Sequence, residues 1–231
     1  DLSVVGGTLS TFTGSGTSYA VVFTPTPGSS GAGKVTVAGD SFSDAKGNKN
    51  TVGDSIDFTV DTVVPTISMT ASSTDLAVRD TATITMTLSE ASTNFVVADL
   101  SVVGGTLSTF TGSGTSYSVV FTPTANSVVA GKVTVAKDSF TDAAGNNNTV
   151  GASVDFTVDT VVPTISMTAN KTDLATGDTA TITMTLSETS TDFALSDLSV
   201  VGGTLSTFTG SGTSYAVVFT PTPGSSGAGK V

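Results

Sequence analysis

A string of nineteen residues, DLSVVGGTLSTFTGSGTSY, occurs three times in the chain, beginning at Asp1, Asp99 and Asp197. The starts are 98 residues apart (99 − 1 and 197 − 99), and residues 197–231 repeat residues 1–35 without a change. Such a period is too long for the common solenoids and matches one small β-sandwich domain. We therefore predict the C-terminal part of one repeat (1–61), a complete repeat (62–159) and the N-terminal part of a third (160–231). We expect the chain to be a window of a longer, many-copy protein.

Within the complete repeat, apolar and polar residues alternate in short runs separated by turn residues, as in strands that cover a core with one face. The clearest run is Thr81–Ser89, where Ala, Ile, Met and Leu occupy every second position. No stretch has a helical period. About seven strands, A to G, are predicted at Thr66–Ala71, Thr81–Ser89, Phe95–Val103, Thr106–Thr111, Tyr117–Phe121, Val133–Val135 and Val154–Val158, with Gly112-Ser113-Gly114 as a hairpin turn. The predicted fold class is all-β, with sandwich domains arranged end to end.

The composition excludes several kinds of chemistry. The chain has no Cys, His or Trp, so it offers neither a thiolate nor an imidazole for catalysis or for binding a transition metal. Its formal net charge of −11 repels phosphate backbones, which argues against nucleic acid as a partner. No apolar run is long enough to span a membrane. The serines have no His partner to activate them, and the glycine pairs lack the Lys-Ser/Thr of a phosphate loop, so we predict no enzymatic activity.

Carboxylates recur at the ends of the predicted domains. Because alternate strands reverse direction, the B–C and F–G loops meet at the N-terminal pole of a repeat, and the A–B loop lies at the other pole. The predicted ligands at the pole of the complete repeat are Asp61 in the linker, Glu90 after strand B, and Asp138, Asp142 and Asn146 in the F–G loop. The predicted ligands at the next junction are Asp159, Glu188, Asp75 and Asp80, and the first copy carries Asp40, Asp44 and Asn48.

The F–G loop motif D-x-x-x-D-x-x-G-N has two interpretations. Asp, Gly and Asn are the ordinary residues of tight turns, so the motif alone indicates only a loop. Converging carboxylates from separate segments are, however, the hard oxygen ligands that calcium binds, and like charges gathered at one pole are unfavourable unless a cation neutralises them. The addition of a linker Asp favours calcium as the cofactor at each junction.

The segments VDTVVPTI, TATITMTLSE, ADLSVVGGTLSTFTG, FTPT and GKVTVAKDSFTDAAGN together resemble the bacterial immunoglobulin (Ig)-like repeat of biofilm-associated proteins and large RTX-type surface adhesins. The resemblance covers the whole chain and implies Ig-like sandwiches. It also implies that the repeats are secreted, extracellular spacers at the bacterial cell surface, often stiffened by calcium. The glycine-rich nonapeptide calcium repeat of RTX segments is absent here.

Two functions remain open at this stage. In the first, the repeats are a non-catalytic stalk whose only partners are neighbouring repeats of the same chain. In the second, they pack laterally with other copies of the chain into a fibre, sheath or biofilm matrix, which requires an apolar outer patch. The outward face of the Thr81–Ser89 strand is rich in Thr, and this favours the stalk.

Overall fold

The computed structural model describes all 231 residues and consists almost wholly of β-strands, which confirms the all-β prediction. The chain divides into two compact units, Asp1–Thr160 and Val161–Val231. No helix in it has the length and apolar character that crossing a membrane requires.

The first unit contains twelve strands. They are β1 (Leu2–Val5), β2 (Gly7–Ser15), β3 (Ser18–Pro25), β4 (Ser30–Val37), β5 (Asp54–Asp61), β6 (Ile67–Ala71), β7 (Asp75–Leu76), β8 (Ala82–Ser92), β9 (Leu100–Val103), β10 (Gly105–Pro123), β11 (Gly131–Val135) and β12 (Ala152–Val158). A single turn of 3-10 helix, Val97–Asp99, precedes β9.

The complete repeat is a sandwich of two sheets. One sheet has the strand order β10-β8-β6 and the other β7-β12-β11-β9. All neighbouring strands pair antiparallel except β7 and β12, which pair parallel. β7 thus continues strand A on the sheet opposite to the one that contains β6. The complete repeat thus has seven strands, β6 to β12, but not quite the predicted seven. The predicted strands Thr106–Thr111 and Tyr117–Phe121 are both part of β10, and the short β7 was not predicted. From β6 to β11 successive strands alternate between the two sheets, and β12 then pairs with β11 in the same sheet.

The burial of alternate residues on β8 confirms the pattern predicted for Thr81–Ser89. On β8 the side chains of Ala82, Ile84, Met86 and Leu88 are buried, and the threonines between them are exposed. Valines and aromatic rings of β10 in the same sheet, and of β11 and β12 in the facing sheet, complete the core. They are Tyr117, Val119, Phe121, Val133, Val135, Phe156 and Val158.

The Phe95–Val103 strand prediction is wrong in its first half. Phe95 is buried in a loop, the 3-10 turn follows, and β9 begins only at Leu100. The reason is local, because the Asp99 carboxylate accepts a hydrogen bond from the main-chain N–H of Val96 at 2.8 Å and closes the turn. Such a side-chain bond competes with strand geometry.

The predicted hairpin turn, Gly112-Ser113-Gly114, overlaps the observed turn only at its last residue. In the first copy, Ser15 pairs with Ser18, so the turn residues are Gly16 and Thr17 rather than the preceding glycine. β10 doubles back in the same way, and Gly112 lies inside its paired region at a φ of +117°. A Cβ on Gly112 would collide with the carbonyl oxygen of Ser116, so close approach of the two arms requires glycine here.

Residues 1–61 repeat the C-terminal part of this sandwich. They form a three-stranded sheet of order β1-β4-β5 and the hairpin β2-β3. The pairing register is conserved, since Val4 faces Val35 here as Val102 faces Val133 in the complete repeat.

The second unit contains β13 (Ile165–Ala169), β14 (Ala180–Ser190) and β15 (Gly203–Pro221), with a 3-10 turn at Leu195–Asp197. The three strands form one sheet of order β13-β14-β15, the counterpart of β6-β8-β10. Met184, Tyr215 and Val217 are the buried centre of this unit.

Candidate functional site

The F–G loop of the complete repeat, residues 136–151, is held in place by one buried asparagine. The side chain of Asn148 is fully buried and makes four hydrogen bonds to the main chain. Its Oδ1 accepts from the N–H groups of Ser139 (2.8 Å) and Phe140 (3.0 Å), and its Nδ2 donates to the carbonyls of Ala136 (2.8 Å) and Val150 (3.2 Å). The Phe140 ring packs 5.2 Å from that of Phe95, which anchors the loop in the core.

Asp142 organises the tip of the same loop. Its Oδ1 accepts from the N–H groups of Ala144 (2.8 Å) and Asn146 (2.9 Å), and its Oδ2 accepts from the side-chain amide of Asn146 (2.8 Å). Despite its charge, Asp142 is buried. Its position is therefore fixed by three hydrogen bonds before any ligand is considered.

Three carboxylates meet at this point. One oxygen each of Asp61, Glu90 and Asp142 lies within 4.8 Å of the other two. Asp61 ends β5, Glu90 lies near the end of β8, and Asp142 is in the F–G loop, so three separate segments contribute. We call these three residues the carboxylate triad. Asp61 and Glu90 are half-buried.

Two asparagines join the segments around the triad. The amide of Asn146 donates to the main-chain carbonyl of Asp61 at 3.2 Å as well as to Asp142. The side-chain oxygen of Asn94 accepts from the N–H of Thr141 at 3.0 Å, and the hydroxyl of buried Ser92 donates to the same oxygen at 2.8 Å. These bonds tie the F–G loop to the linker on one side and to the end of β8 on the other.

The surroundings shift the pKa values of two triad carboxyls in opposite directions. Burial, and then the charges of Asp61 and Asp142, raise the pKa of Glu90 above its usual value. For Asp142, burial acts to raise the pKa, but the hydrogen bonds from Asn146, Ala144 and Gly145 outweigh it and leave the pKa lowered. One carboxyl is thus held charged beside another that resists ionising, which is the environment that a divalent cation relieves.

The donor set is chemically selective. Three carboxylates offer oxygen ligands only, which suit calcium, magnesium or manganese rather than zinc or copper. As placed here, Asn146 presents its NH2 group and not its oxygen to Asp142, so its role is to orient the carboxylate.

The other predicted ligands of this pole are not in the triad. Asp138 has a φ of +60°, and its carboxylate is 3.9 Å from the ammonium of Lys137. In the first copy, Asp44 and Asn48 reproduce the Asp142–Asn146 hydrogen bonds at 2.8–2.9 Å, with Asp44 exposed. Asp40 has the same positive φ as Asp138. Because Asp44 adopts this geometry without a partner like Glu90, the loop conformation is a local property of its sequence.

The ligands predicted for the second junction are placed as follows. The N–H of Asp159 donates to the carbonyl of Leu76 at 3.0 Å, which brings this linker residue beside Asp75 on β7. Asp80 caps its own turn, since its Oδ2 accepts from the N–H of Ala77 at 2.9 Å. Glu188 is half-buried near the end of β14 in the second unit.

Asn94 and Asn148 were not predicted from the sequence to take part in the site. Asn148 belongs to a run of three asparagines, and nothing in the run shows which one is buried. A signal was nonetheless present in the repeat, because Asn50 stands 98 residues earlier and makes the same bonds to Phe42 and Ala38. No comparable repeat signal marks Asn94, whose counterpart in the third copy is Asp192.

The two-sheet topology and the recurrence of the same strands define a tandem array of Ig-like β-sandwich domains. The model of the bacterial Ig-like domain family matches residues 1–60, 61–158 and 159–231. The chain therefore belongs to the bacterial Ig-like domain family, as the resemblance of its motifs predicts.

The chain was also compared with solved structures and with curated protein sequences. Among solved structures, the chain is similar to FdeC, described as a broadly conserved Escherichia coli adhesin that elicits protection against urinary tract infections. The identity is 16%, the alignment covers 95% of this chain and 76% of that one, and the TM-score is 0.38. No curated protein sequence matches the chain.

Proposed function

We propose that these repeats are non-catalytic extracellular spacers, a stalk in a bacterial surface adhesin, and that calcium bound at the carboxylate triad stiffens their junctions. Membership of the bacterial Ig-like family supports the structural role. The absence of His and Cys from the chain supports the lack of catalysis, since the usual general base and thiol nucleophile are missing.

One observation carries the calcium proposal: Asp61, Glu90 and Asp142 come from three segments and bring their oxygens within 4.8 Å of one another. Asp61 closes the last strand of one predicted repeat, while the other two belong to the next. A cation bound by all three would fix the linker to the sandwich, and its removal would leave three carboxylates repelling one another. The junction would then be stiff in calcium and loose without it.

The outer face of the β10-β8-β6 sheet favours a stalk over a laterally packed fibre. Along β8, Thr83, Thr85 and Thr87 point outward and are exposed, and their cross-strand neighbours on β6 and β10 are mostly serine and threonine. Lateral assembly generally needs a contiguous apolar patch, which this sheet face does not provide.

Calorimetric titration and thermal unfolding of the 231-residue chain test the calcium proposal. Calcium at a hundredfold excess over its Kd would stabilise the folded chain by about 2.7 kcal/mol. We expect Asp142→Asn to lose both the heat of binding and the stabilisation. The control is Asp155→Asn, which removes an exposed carboxylate that pairs with Lys132 at 2.8 Å. Unchanged unfolding curves of the wild-type chain in calcium and in EGTA would refute the proposal.

A further inference from the structure

The side chain of Thr62 fastens the linker to the repeat that precedes it. Its hydroxyl donates a hydrogen bond to the main-chain carbonyl of Thr26 at 2.7 Å and accepts one from the N–H of Ser29 at 3.0 Å. The N–H of Thr62 also donates to the carbonyl of Ser29 at 2.8 Å. Thr26 and Ser29 lie in the short loop between β3 and β4, so three hydrogen bonds hold the linker against one loop of the first copy.

The next linker repeats this arrangement. The hydroxyl of Thr160 donates to the carbonyl of Thr124 at 2.7 Å and accepts from the N–H of Ser127 at 2.9 Å. The N–H of Thr160 donates to the carbonyl of Ser127 at 2.9 Å, and the residue as a whole is buried. The loop that holds it reads Thr-Ala-Asn-Ser, whereas the loop of the first copy reads Thr-Pro-Gly-Ser. Two loops with different middle residues therefore hold the linker threonine in the same way.

Asp61, the last residue of β5, is also bonded to the following repeat. Its main-chain carbonyl accepts from the amide of Asn146 at 3.2 Å, and its carboxylate belongs to the triad. Oδ1 of this carboxylate accepts from the N–H of Val63 at 3.2 Å and closes a turn around Thr62. Neighbouring residues of the linker are thus held on opposite sides, Thr62 by the preceding repeat and Asp61 by the following one.

The bonds of Thr62 lie where the attachment to the first copy would otherwise end. Asp61 and Ser30 are the last pair between β4 and β5 on this side. The ends of paired strands open most easily, and an open end would let the linker swing away from the first copy. Because Thr62 continues the attachment one residue beyond this pair, the linker leaves the first copy in a fixed direction.

We infer that Thr62 and Thr160 are positioning residues of the linkers, whose hydroxyls fix each linker to the preceding repeat and thereby limit bending. At the first junction, the bond from Asn146 to Asp61 holds the other side. The two attachments are on adjacent residues, so no linker residue between them is left to act as a hinge. The role of Thr62 is independent of calcium, because none of its three hydrogen bonds involves a carboxylate of the triad.

The spread of distances between two spin labels across the first junction tests this role. The chain has no cysteine, so labels can be attached at Ser55→Cys on β5 and Thr85→Cys on β8, both of which are exposed positions. Double electron–electron resonance then gives the distance distribution. We expect Thr62→Val, which keeps the shape of the side chain and removes its hydroxyl, to broaden this distribution both in EGTA and in calcium.

Two further variants make the test specific to the hydroxyl and to the junction. Thr62→Ser retains the hydroxyl and should give the narrow distribution of the wild type. Thr160→Val loses the same bonds at the other linker, which the labels do not span, and should also match the wild type. A Thr62→Val chain with a distribution as narrow as that of the wild type in both buffers would overturn the inference, and so would equal broadening by Thr160→Val.

Failure of the calcium proposal gives a different result in the same experiment. Calcium would then leave the wild-type distribution unchanged, while Thr62→Val would still broaden it.

Discussion

The side-chain amide of Asn146 donates a hydrogen bond to the main-chain carbonyl of Asp61, 85 residues earlier in the sequence, at 3.2 Å. The same amide donates to Asp142 at 2.8 Å. One side chain therefore connects the linker to the F–G loop and sets the position of one carboxylate of the triad. Its loss should affect both the junction and the proposed cation site.

We expect Asn146→Ala to weaken calcium binding about 10-fold or more, the usual effect of removing a group that orients a metal ligand. Asn48→Ala is the matched control, since Asn48 makes the same bonds to exposed Asp44 but has no triad beside it. Calorimetric titration gives both affinities. Equal affinities for the two variants would mean that Asn146 does not organise a binding site.

The pH dependence of stability should have an unusual sign in the absence of calcium. The pKa of Glu90 is raised from 4.5 in the folded chain by burial and by the neighbouring Asp61 and Asp142. Above pH 4.5 the folded state therefore holds a proton that the unfolded state has lost, and stability falls as the pH rises through the raised pKa. The lowered pKa of Asp142 acts in the other direction but at lower pH, because its contribution is lost only as the pH falls below 3.8.

Thermal unfolding in EGTA between pH 4.5 and about 7 measures this slope. We expect Glu90→Gln to remove its contribution and to be more stable than the wild-type chain at neutral pH without calcium. In saturating calcium the order should reverse, because the variant has lost a charged ligand. A variant less stable than the wild type under both conditions would show that Glu90 has a different role.

Asn148→Ala should be among the more destabilising substitutions that leave the hydrophobic core intact. It leaves the buried N–H of Phe140, the half-buried N–H of Ser139 and the carbonyls of Ala136 and Val150 without these partners. Each unsatisfied group costs about 1–3 kcal/mol where water cannot reach it. Asn50→Ala removes similar bonds from the more exposed loop of the first copy and should cost less. Denaturant unfolding of both variants makes the comparison. Equal losses of unfolding free energy in the two variants would indicate that the burial of the asparagine does not determine the cost of removing it.

The sequence predicted the parts of the fold that follow from regular spacing, either of apolar residues along a strand or of whole repeats along the chain. The alternation along β8 identified its buried face, and the 98-residue repeat identified the sandwich as the unit. It failed where one side chain decides the backbone, as with Asp99, which closes a 3-10 turn within the predicted Phe95–Val103 strand. Periodicity holds no information about such a bond.

The site was predictable only in outline. Strand counting brings Asp61, Glu90 and Asp142 to one pole, and in the structure their oxygens do lie together. Asp138 was predicted to lie with them. Its carboxylate lies near the ammonium of Lys137, and its backbone has a positive φ that no pattern in the loop signals. The calcium ion itself, and the remaining predicted ligands, stay predictions.

Small-angle scattering of the 231-residue chain with calcium and with EGTA tests whether calcium at the triad stiffens the junction. We expect a longer maximum dimension and a more rigid scattering profile in calcium. We also expect Asp142→Asn to give the EGTA profile even when calcium is present. Superimposable profiles of the wild-type chain in the two buffers would contradict a calcium-stiffened stalk and leave a passive spacer as the better account.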